Sequence, residues 1–317
     1  MTVITNSSFT HVTIFVFAAL PWMKAWQNLL SILLAFLFIL AIVANIFLTL
    51  IIYREQTLHE PMYYFFSMLS VVDLVLSLVT TPKILAILWF DAKTITLPGC
   101  FIQMFLIHCL AIIESGIFVV MAFDRYVAIC TPLRYASVLT DRFVVSTMVV
   151  ISLRSLLITI PVPILSAQLI YCSDYVIEHI MCSVLTVAKL ACNDIGLTAT
   201  YQLGIASTII GSDLTLIFLS YCLILRAALK LHERGATGKA LSTCISHFII
   251  ILFFYSMVFV LAINNASGNA TSESTVLLNT LHFCVPPTLN PLVYGFRSKN
   301  IIQGFRNIFS NPSCSPN

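Results

Sequence analysis

The chain has 317 residues, 59% of them hydrophobic and 9% charged, with a formal net charge of +3. Soluble domains carry about 25% charged residues, so an ordinary soluble enzyme or binding module is excluded in favour of spanning helices of roughly 20 apolar residues each. The small charge, with no basic run, no CxxC pair and no Gly-rich phosphate loop, gives no argument for a nucleic-acid partner, and none is expected.

Residues 1–27 are mixed in polarity and hold no base before Lys24, which argues against a cleaved signal peptide and for an extracellular N-terminus. Seven apolar spans follow, at about 28–53, 61–89, 100–129, 143–168, 198–229, 240–263 and 275–296. Residues 297–317 form a tail in which Ile301, Ile302, Phe305, Ile308 and Phe309 recur at helical spacing. Such a helix should lie along the membrane surface, in contact with lipid. The predicted fold is a single all-α domain over 1–317, a seven-transmembrane helix bundle with a short amphipathic C-terminal helix.

Bases cluster on one side of the spans, at Arg54, Arg125, Arg134, Arg142, Arg226, Lys230, Arg234, Lys239, Arg297, Lys299 and Arg306, against Lys24, Lys93 and Lys189 on the other. The positive-inside rule places the C-terminus in the cytoplasm and, with an odd number of spans, the N-terminus outside, as in a multi-pass plasma-membrane protein. Cys100, Cys172, Cys182 and Cys192 then share the outer face, where disulfides persist, and the three possible connectivities stay open at this point. Sequons at Asn6, Asn265 and Asn269 also fall outside, with Asn6 the best candidate for glycosylation. Cys314 in the tail is a weak candidate for lipid attachment.

Ionisable groups inside spans are functional candidates. Asp73 and Glu114 sit at mid-depth on the second and third spans, and Asn290 lies on the seventh beside Pro291, where the helix can kink. Two carboxylates close together would share a proton or a cation. A hydrogen-bond network without an ion is the competing reading. Asp213 and Arg154 have no assigned partner. Asp124 and Arg125 mark the point where the third span surfaces, each offsetting part of the other's charge.

The stretch Met121–Cys130, MAFDRYVAIC, resembles the MAYDRYVAIC signature of vertebrate odorant receptors, which are seven-helix G-protein-coupled receptors. Further blocks resemble that family in order along the chain: Pro61-Met62-Tyr63-Tyr64 with Asp73-Leu74, Ser220-Tyr221, Lys239 to Cys244 with Ser246-His247, and Pro287, Asn290-Pro291 and Tyr294. Phe123, the Glu114-Ser115-Gly116 segment and the long cysteine-bearing second outer loop resemble the class I, fish-like branch.

The resemblance implies disulfides Cys100–Cys182 and Cys172–Cys192. It implies a switch made of Asp124, Arg125, Tyr126, Tyr221, Lys239, His247, Asn290, Pro291 and Tyr294, in which the sixth span, holding Arg125 at rest, swings out to admit a heterotrimeric G protein of the stimulatory olfactory type. It implies a sodium-sensitive network of Asp73, Glu114 and Asn290; apart from that sodium ion no cofactor or metal is expected. A pocket for a small volatile odorant is expected among Met104, Ile107, His108, Ala111 and Ile112 of the third span, Gln202, Ile205, Ala206 and Ile209 of the fifth, and Tyr255, Val258, Phe259 and Ala262 of the sixth. His108 is expected to donate to a ligand oxygen.

Several class I receptors recognise carboxylic acids through an arginine on the outer sixth helix. Here that stretch reads Ala262, Ile263, Asn264, Asn265, Ala266, and Leu185 replaces a loop glutamine. An unpaired carboxylate in an apolar pocket is costly. The expected ligand is therefore neutral and lipophilic, such as an alcohol, ketone or terpenoid, with a carboxylic-acid sensor as the alternative. A transporter is disfavoured by the odd span count and the lack of related halves. An intramembrane enzyme is disfavoured because Asp73, Glu114 and His108 sit in no catalytic motif, so no catalytic residue is assigned.

Overall fold

The structure, a computed structural model, describes residues 13–18, 23–172, 175–230, 234–267 and 273–310. Asn6, Asn269 and Cys314 lie outside those residues. The bundle is built from α1 (Met23–Arg54), α2 (Pro61–Phe90), α3 (Leu97–Cys130), α4 (Asp141–Thr159, continued by Pro161–Ala167), α5 (Gly196–Lys230), α6 (Arg234–Ala266) and α7 (Glu273–Cys284 and Pro286–Arg297). The amphipathic helix α8 (Lys299–Ser310) follows. Helices α1 to α5 are each long and apolar enough to cross a membrane, and α6 carries the shorter apolar run Phe248–Val260. The chain is an all-α membrane protein.

Helix α6 differs most from the sequence expectation. It starts at Arg234, so Lys239 is helical and not at the end of a loop, and it reaches Ala266, so Asn265 falls in its last turn. No proline interrupts the stretch, which lets the helix run past the apolar segment at both ends.

Proline positions the breaks elsewhere. Helix α4 is divided at Ile160, before Pro161, and α7 at Val285, before Pro286 and Pro287. A proline cannot donate, so carbonyls near it need other partners. Asn45, within the first apolar span, is fully buried and donates from Nδ2 to Pro287 O at 2.7 Å and to Ala41 O at 2.8 Å. Thr288 Oγ1 donates to Cys284 O at 2.9 Å. Asn45 thereby ties α1 to the break in α7.

The main core runs down the bundle through Phe65, Leu69 and Ile84 of α2 and Ile117, Phe118 and Met121 of α3. A second core lies at the disulfide end. There β1 (Ile14–Phe17) is the centre of a three-stranded sheet, antiparallel to β2 (Thr94–Thr96) and parallel to β3 (Val176–Ile177). Side chains alternate along a strand, so Phe15 and Phe17 both point inward and are fully buried, while Ile14 is exposed. Phe15 meets Tyr171 edge-on, with ring centroids 5.2 Å apart. The segment before α1 is thus part of a cap over the bundle.

Candidate functional site

At the end of α3 opposite the disulfides, Arg125 donates to Asp124 Oδ2 from Nε at 3.0 Å and from Nη2 at 2.5 Å. Asp124 is fully buried. Its other oxygen, Oδ1, accepts from the Tyr135 hydroxyl at 2.9 Å. Burial, and then the Asp124 charge, push the Tyr135 hydroxyl up from its ordinary value, which keeps it a donor. Tyr135 opens a one-turn helix, Tyr135–Val138, after the tight turn Pro132–Arg134. Sequence reasoning missed Tyr135 because it belongs to a loop and to none of the charged spans. Leu133 in the same turn is fully exposed.

Around this corner Tyr221 meets Phe248 at 5.7 Å, and its hydroxyl is buried without a partner among the described residues. Tyr294 stacks on Phe66 at 4.1 Å. Tyr126 lies 6.3 Å from Phe123, ring to ring. Lys239 and His247 lie on α6, and their side chains are outside the description. Among the described residues the hydrogen bonds of Arg125 go to Asp124, and Cys244 of α6 also interacts with it electrostatically.

At mid-depth, Asn290 brings the two lone carboxylates together. Its Nδ2 donates to Asp73 Oδ2 at 3.1 Å and Oδ1 at 3.3 Å, and lies 3.4 Å from Glu114 Oε1. All three residues are buried. Asn290 occupies the helical turn around Pro291, within the second segment of α7.

A second polar cluster lies close by on α3. Arg154 of α4 grips Asp213 of α5 with both Nη atoms, Nη1 to Oδ1 and Nη2 to Oδ2, each at 2.9 Å. Ser115 donates to Asp213 Oδ2 at 2.6 Å and lies 2.7 Å from the Tyr255 hydroxyl of α6. Three helices therefore meet on one carboxylate, and α6 joins them through Ser115. Gly116 makes this possible: a Cβ there would lie 2.8 Å from Ile151 Cγ2 and 3.4 Å from Arg154 Nη2, so its absence lets α4 approach α3. Arg154 and Asp213, unassigned in the sequence, are each other's partners. The signal that identifies them is the cost of each charge alone in adjacent spans.

The expected pocket residues divide. Met104, Ile107, Ile112 and Ile209 are buried, Met104 within the second core beside Cys182. Ala111, Ile205, Ala206 and Val258 are partly buried. Tyr255 is buried and committed to Ser115. Gln202 has a buried Oε1 with no partner among the described residues. Phe259 is 68% exposed, and Ala262 is exposed as well. The His108 expectation also changes. Its Nδ1 lies 2.8 Å from Met104 O, a group that can only accept, so Nδ1 carries the proton and Nε2 of the neutral ring is an acceptor.

The disulfides Cys100–Cys182 and Cys172–Cys192 close the cap. Gln103, which sequence reasoning passed over, accepts from Cys182 N at 3.1 Å and donates to Val79 O at 3.1 Å, joining the loop to α2 and α3. His179 is buried, accepts at Nδ1 from Met181 N at 3.3 Å, and has Nε2 3.1 Å from the Asn279 amide of α7. Burial pushes its imidazole down to about 4, so it is neutral at physiological pH.

A family profile described as olfactory receptor matches residues 34–311. Olfactory receptor 56B34 of Mus musculus is 47% identical over 306 residues, covering 96% of this chain and 95% of the relative. Olfactory receptor 56B2 of Homo sapiens is 49% identical, covering 94% and 95%, and human olfactory receptor 56A5 is 46% identical, covering 97% and 99%. With the seven-helix bundle, the buried Asp124–Arg125 pair and the carboxylate clusters along α3 in place, the likeness extends over nearly the whole length. The chain belongs to the olfactory receptor family of G-protein-coupled receptors, in its class I branch, a family of multi-pass membrane receptors and not of enzymes.

Proposed function

We propose that this receptor binds a neutral, lipophilic volatile carrying a hydroxyl group and activates a stimulatory, olfactory-type G protein to raise cAMP. Odorant and G protein are the partners that membership of the family implies. The N-terminus and disulfide cap face outward, and the Asp124–Arg125 corner faces the cytoplasm, as the distribution of bases supports.

The ligand class rests on one observation, the commitment of His108 Nδ1 to Met104 O. Nε2, with no hydrogen bond among the described residues, then accepts, so it favours a ligand that donates. Alcohols donate; ketones and ionised acids do not. Carboxylates are further disfavoured because the sequence has no lysine or arginine in α6 between Lys239 and Ala266. Ile205, Ala206 and Val258, with Gln202 as a second polar group, supply the mostly apolar wall such a molecule needs.

A ligand beside α3, α5 and α6 presses on the helices that meet at Asp213. A shift of Tyr255 relative to Ser115 moves α6, and the far end of α6 flanks Arg125 and Tyr221. Leu133, fully exposed in the turn Pro132–Arg134, is the apolar side chain offered to the G protein. Asp73 and Glu114 share a proton or a sodium ion, because two unpaired buried carboxylates cost too much. Their oxygens suit a sodium ion, provided the Asn290 amide turns its oxygen toward it.

The test is a cAMP reporter screen that pairs each alcohol with its matching ketone and carboxylic acid, with Arg125→Ala as the coupling control. Losing a buried hydrogen bond costs about 1–3 kcal/mol, so the alcohol should be roughly 5- to 150-fold more potent than its ketone. His108→Phe should level the two. Potent acids with silent alcohols would contradict the ligand class, and a response that survives Arg125→Ala would contradict the coupling.

A further inference from the structure

We propose that Ser137 is a phosphoacceptor for a basophilic serine/threonine kinase, and that its phosphorylation dismantles the turn through which Tyr135 holds Asp124. Ser137 is exposed, in the one-turn helix Tyr135–Val138 on the cytoplasmic side. Arg134 lies three residues before it and the apolar Val138 directly after it, the pattern that arginine-directed kinases read. No acidic residue occurs from Leu133 to Thr140.

Two other cytoplasmic hydroxyls have an arginine at the same spacing, Thr57 after Arg54 and Thr237 after Arg234. Thr57 has Glu55 within the recognition stretch, and Thr237 is followed by Gly238 instead of an apolar residue. Ser137 fits the pattern best.

A kinase needs the segment extended. Helices shorter than about 12 residues are marginal on their own, so a single turn opens readily. Two side chains anchor this one, Tyr135 through Asp124 and Leu139, which is buried. In the reaction Ser137 Oγ attacks the γ-phosphorus of ATP, the new O–P bond forms, ADP leaves, and the hydroxyl proton passes to the base of the kinase.

The product no longer fits the turn. Ser137 Oγ now donates to Arg134 O at 2.8 Å. A phosphate ester has no proton to give there, and it adds a charge of about −1.5 to −2 at the C-terminal end of a helical turn, where negative charge is unfavourable. The turn that carries Tyr135 and Leu133 is then lost. The consequence for coupling rests on the function proposed above; the modification does not.

The experiment uses the full-length receptor in lipid nanodiscs, treated with ATP and the catalytic subunit of cAMP-dependent protein kinase. Residue-resolved mass spectrometry should find phosphate at Ser137, none in Ser137→Ala, and about ten-fold slower incorporation in Arg134→Ala, the loss of one charge-assisted contact to the kinase. Hydrogen exchange should rise in peptides spanning 131–139 of the phosphorylated receptor. Treatment should lower nucleotide exchange on a stimulatory G protein for the parent and leave Ser137→Ala at its own untreated rate. Phosphate on Thr57 or Thr237 but not Ser137, or incorporation indifferent to Arg134→Ala, overturns the assignment. Phosphate at Ser137 with unchanged protection of 131–139 overturns the dismantling. Both readouts stand whether or not the receptor drives exchange, so a failure of the stimulatory coupling is distinguishable from a failure here.

Discussion

The two ends of the bundle are held by different means. The disulfide end, the outer one in the orientation proposed above, is closed by two disulfides, a three-stranded sheet, two fully buried phenylalanines and the Gln103 bridge. At the inner end, the corner around α3 relies on hydrogen bonds to one carboxylate, Asp124, from Arg125 and from Tyr135. The α8 side of the inner end is better tied, with Ile301 buried, Phe305 against Phe47 at 5.4 Å, and Asn307 Nδ2 donating to Glu55 at 3.3 Å. Covalent and packed contacts thus sit where the fold must hold its shape. The Asp124 corner, which the proposed function turns toward the G protein, is held by contacts worth about 1 kcal/mol each when neutral and somewhat more when charged, within reach of a ligand's differential affinity for two states.

The largest expected effect comes from the cluster between the two ends. Asp213→Ala leaves the half-buried Arg154 of an apolar span without its partner and should cost about 3–5 kcal/mol, read as a lower thermal unfolding temperature in detergent. Replacing both residues, Arg154→Met with Asp213→Leu, should recover most of that stability and still fail to signal. A double variant that signals normally would remove the cluster from the coupling route.

Breaking the outer end comes next. Phe15→Ala should cost about 3–5 kcal/mol, as large core truncations do. The loss should appear as faster hydrogen exchange in 94–96 and 176–182, with no change around 131–139. Equal loosening at both ends would erase the distinction between them.

Acid probes the same cap more gently. His179 has an ordinary value near 6.5 when the loop is open and about 4 when buried. The open state therefore binds the extra proton between those values, and loop stability falls as pH drops from about 6.5 to 4 and is fully present above that window. The total loss is roughly 3 kcal/mol. Exchange in 176–182 should rise at pH 5 relative to pH 7.5, and His179→Gln should flatten the dependence.

The smallest effect belongs to the inner corner. Tyr135→Phe removes one hydrogen bond to Asp124 and should cost about 1 kcal/mol, read as roughly five-fold faster hydrogen exchange in 131–139 with little change in unfolding temperature.

Much of this division was legible in the sequence. Apolar runs located the spans, and the Asp-Arg pair marked where α3 surfaces. What stayed hidden depends on helices meeting. Arg154 and Asp213 are 59 positions apart, and their pairing requires α4 to lie against α3 at Gly116, a contact no periodicity reports. Tyr135 acts through a loop whose path is fixed only once Leu139 is buried. The strand at Ile14–Phe17 alternates over four residues, too short to separate from an apolar fragment until β2 and β3 flank it. On α6, Phe259 and Ala262 share helical spacing with buried Tyr255 and yet are exposed, because spacing does not report how far along a helix its neighbours pack.

The most direct test of a rigid outer end and a yielding inner corner is hydrogen exchange on the full chain in nanodiscs, with and without a nucleotide-free stimulatory G protein. The account predicts changed exchange in peptides of 131–139 and in the cytoplasmic halves of α5 and α6, with 94–96 and 176–182 unaltered. Equal changes at both ends, or changes confined to the disulfide cap, would contradict it.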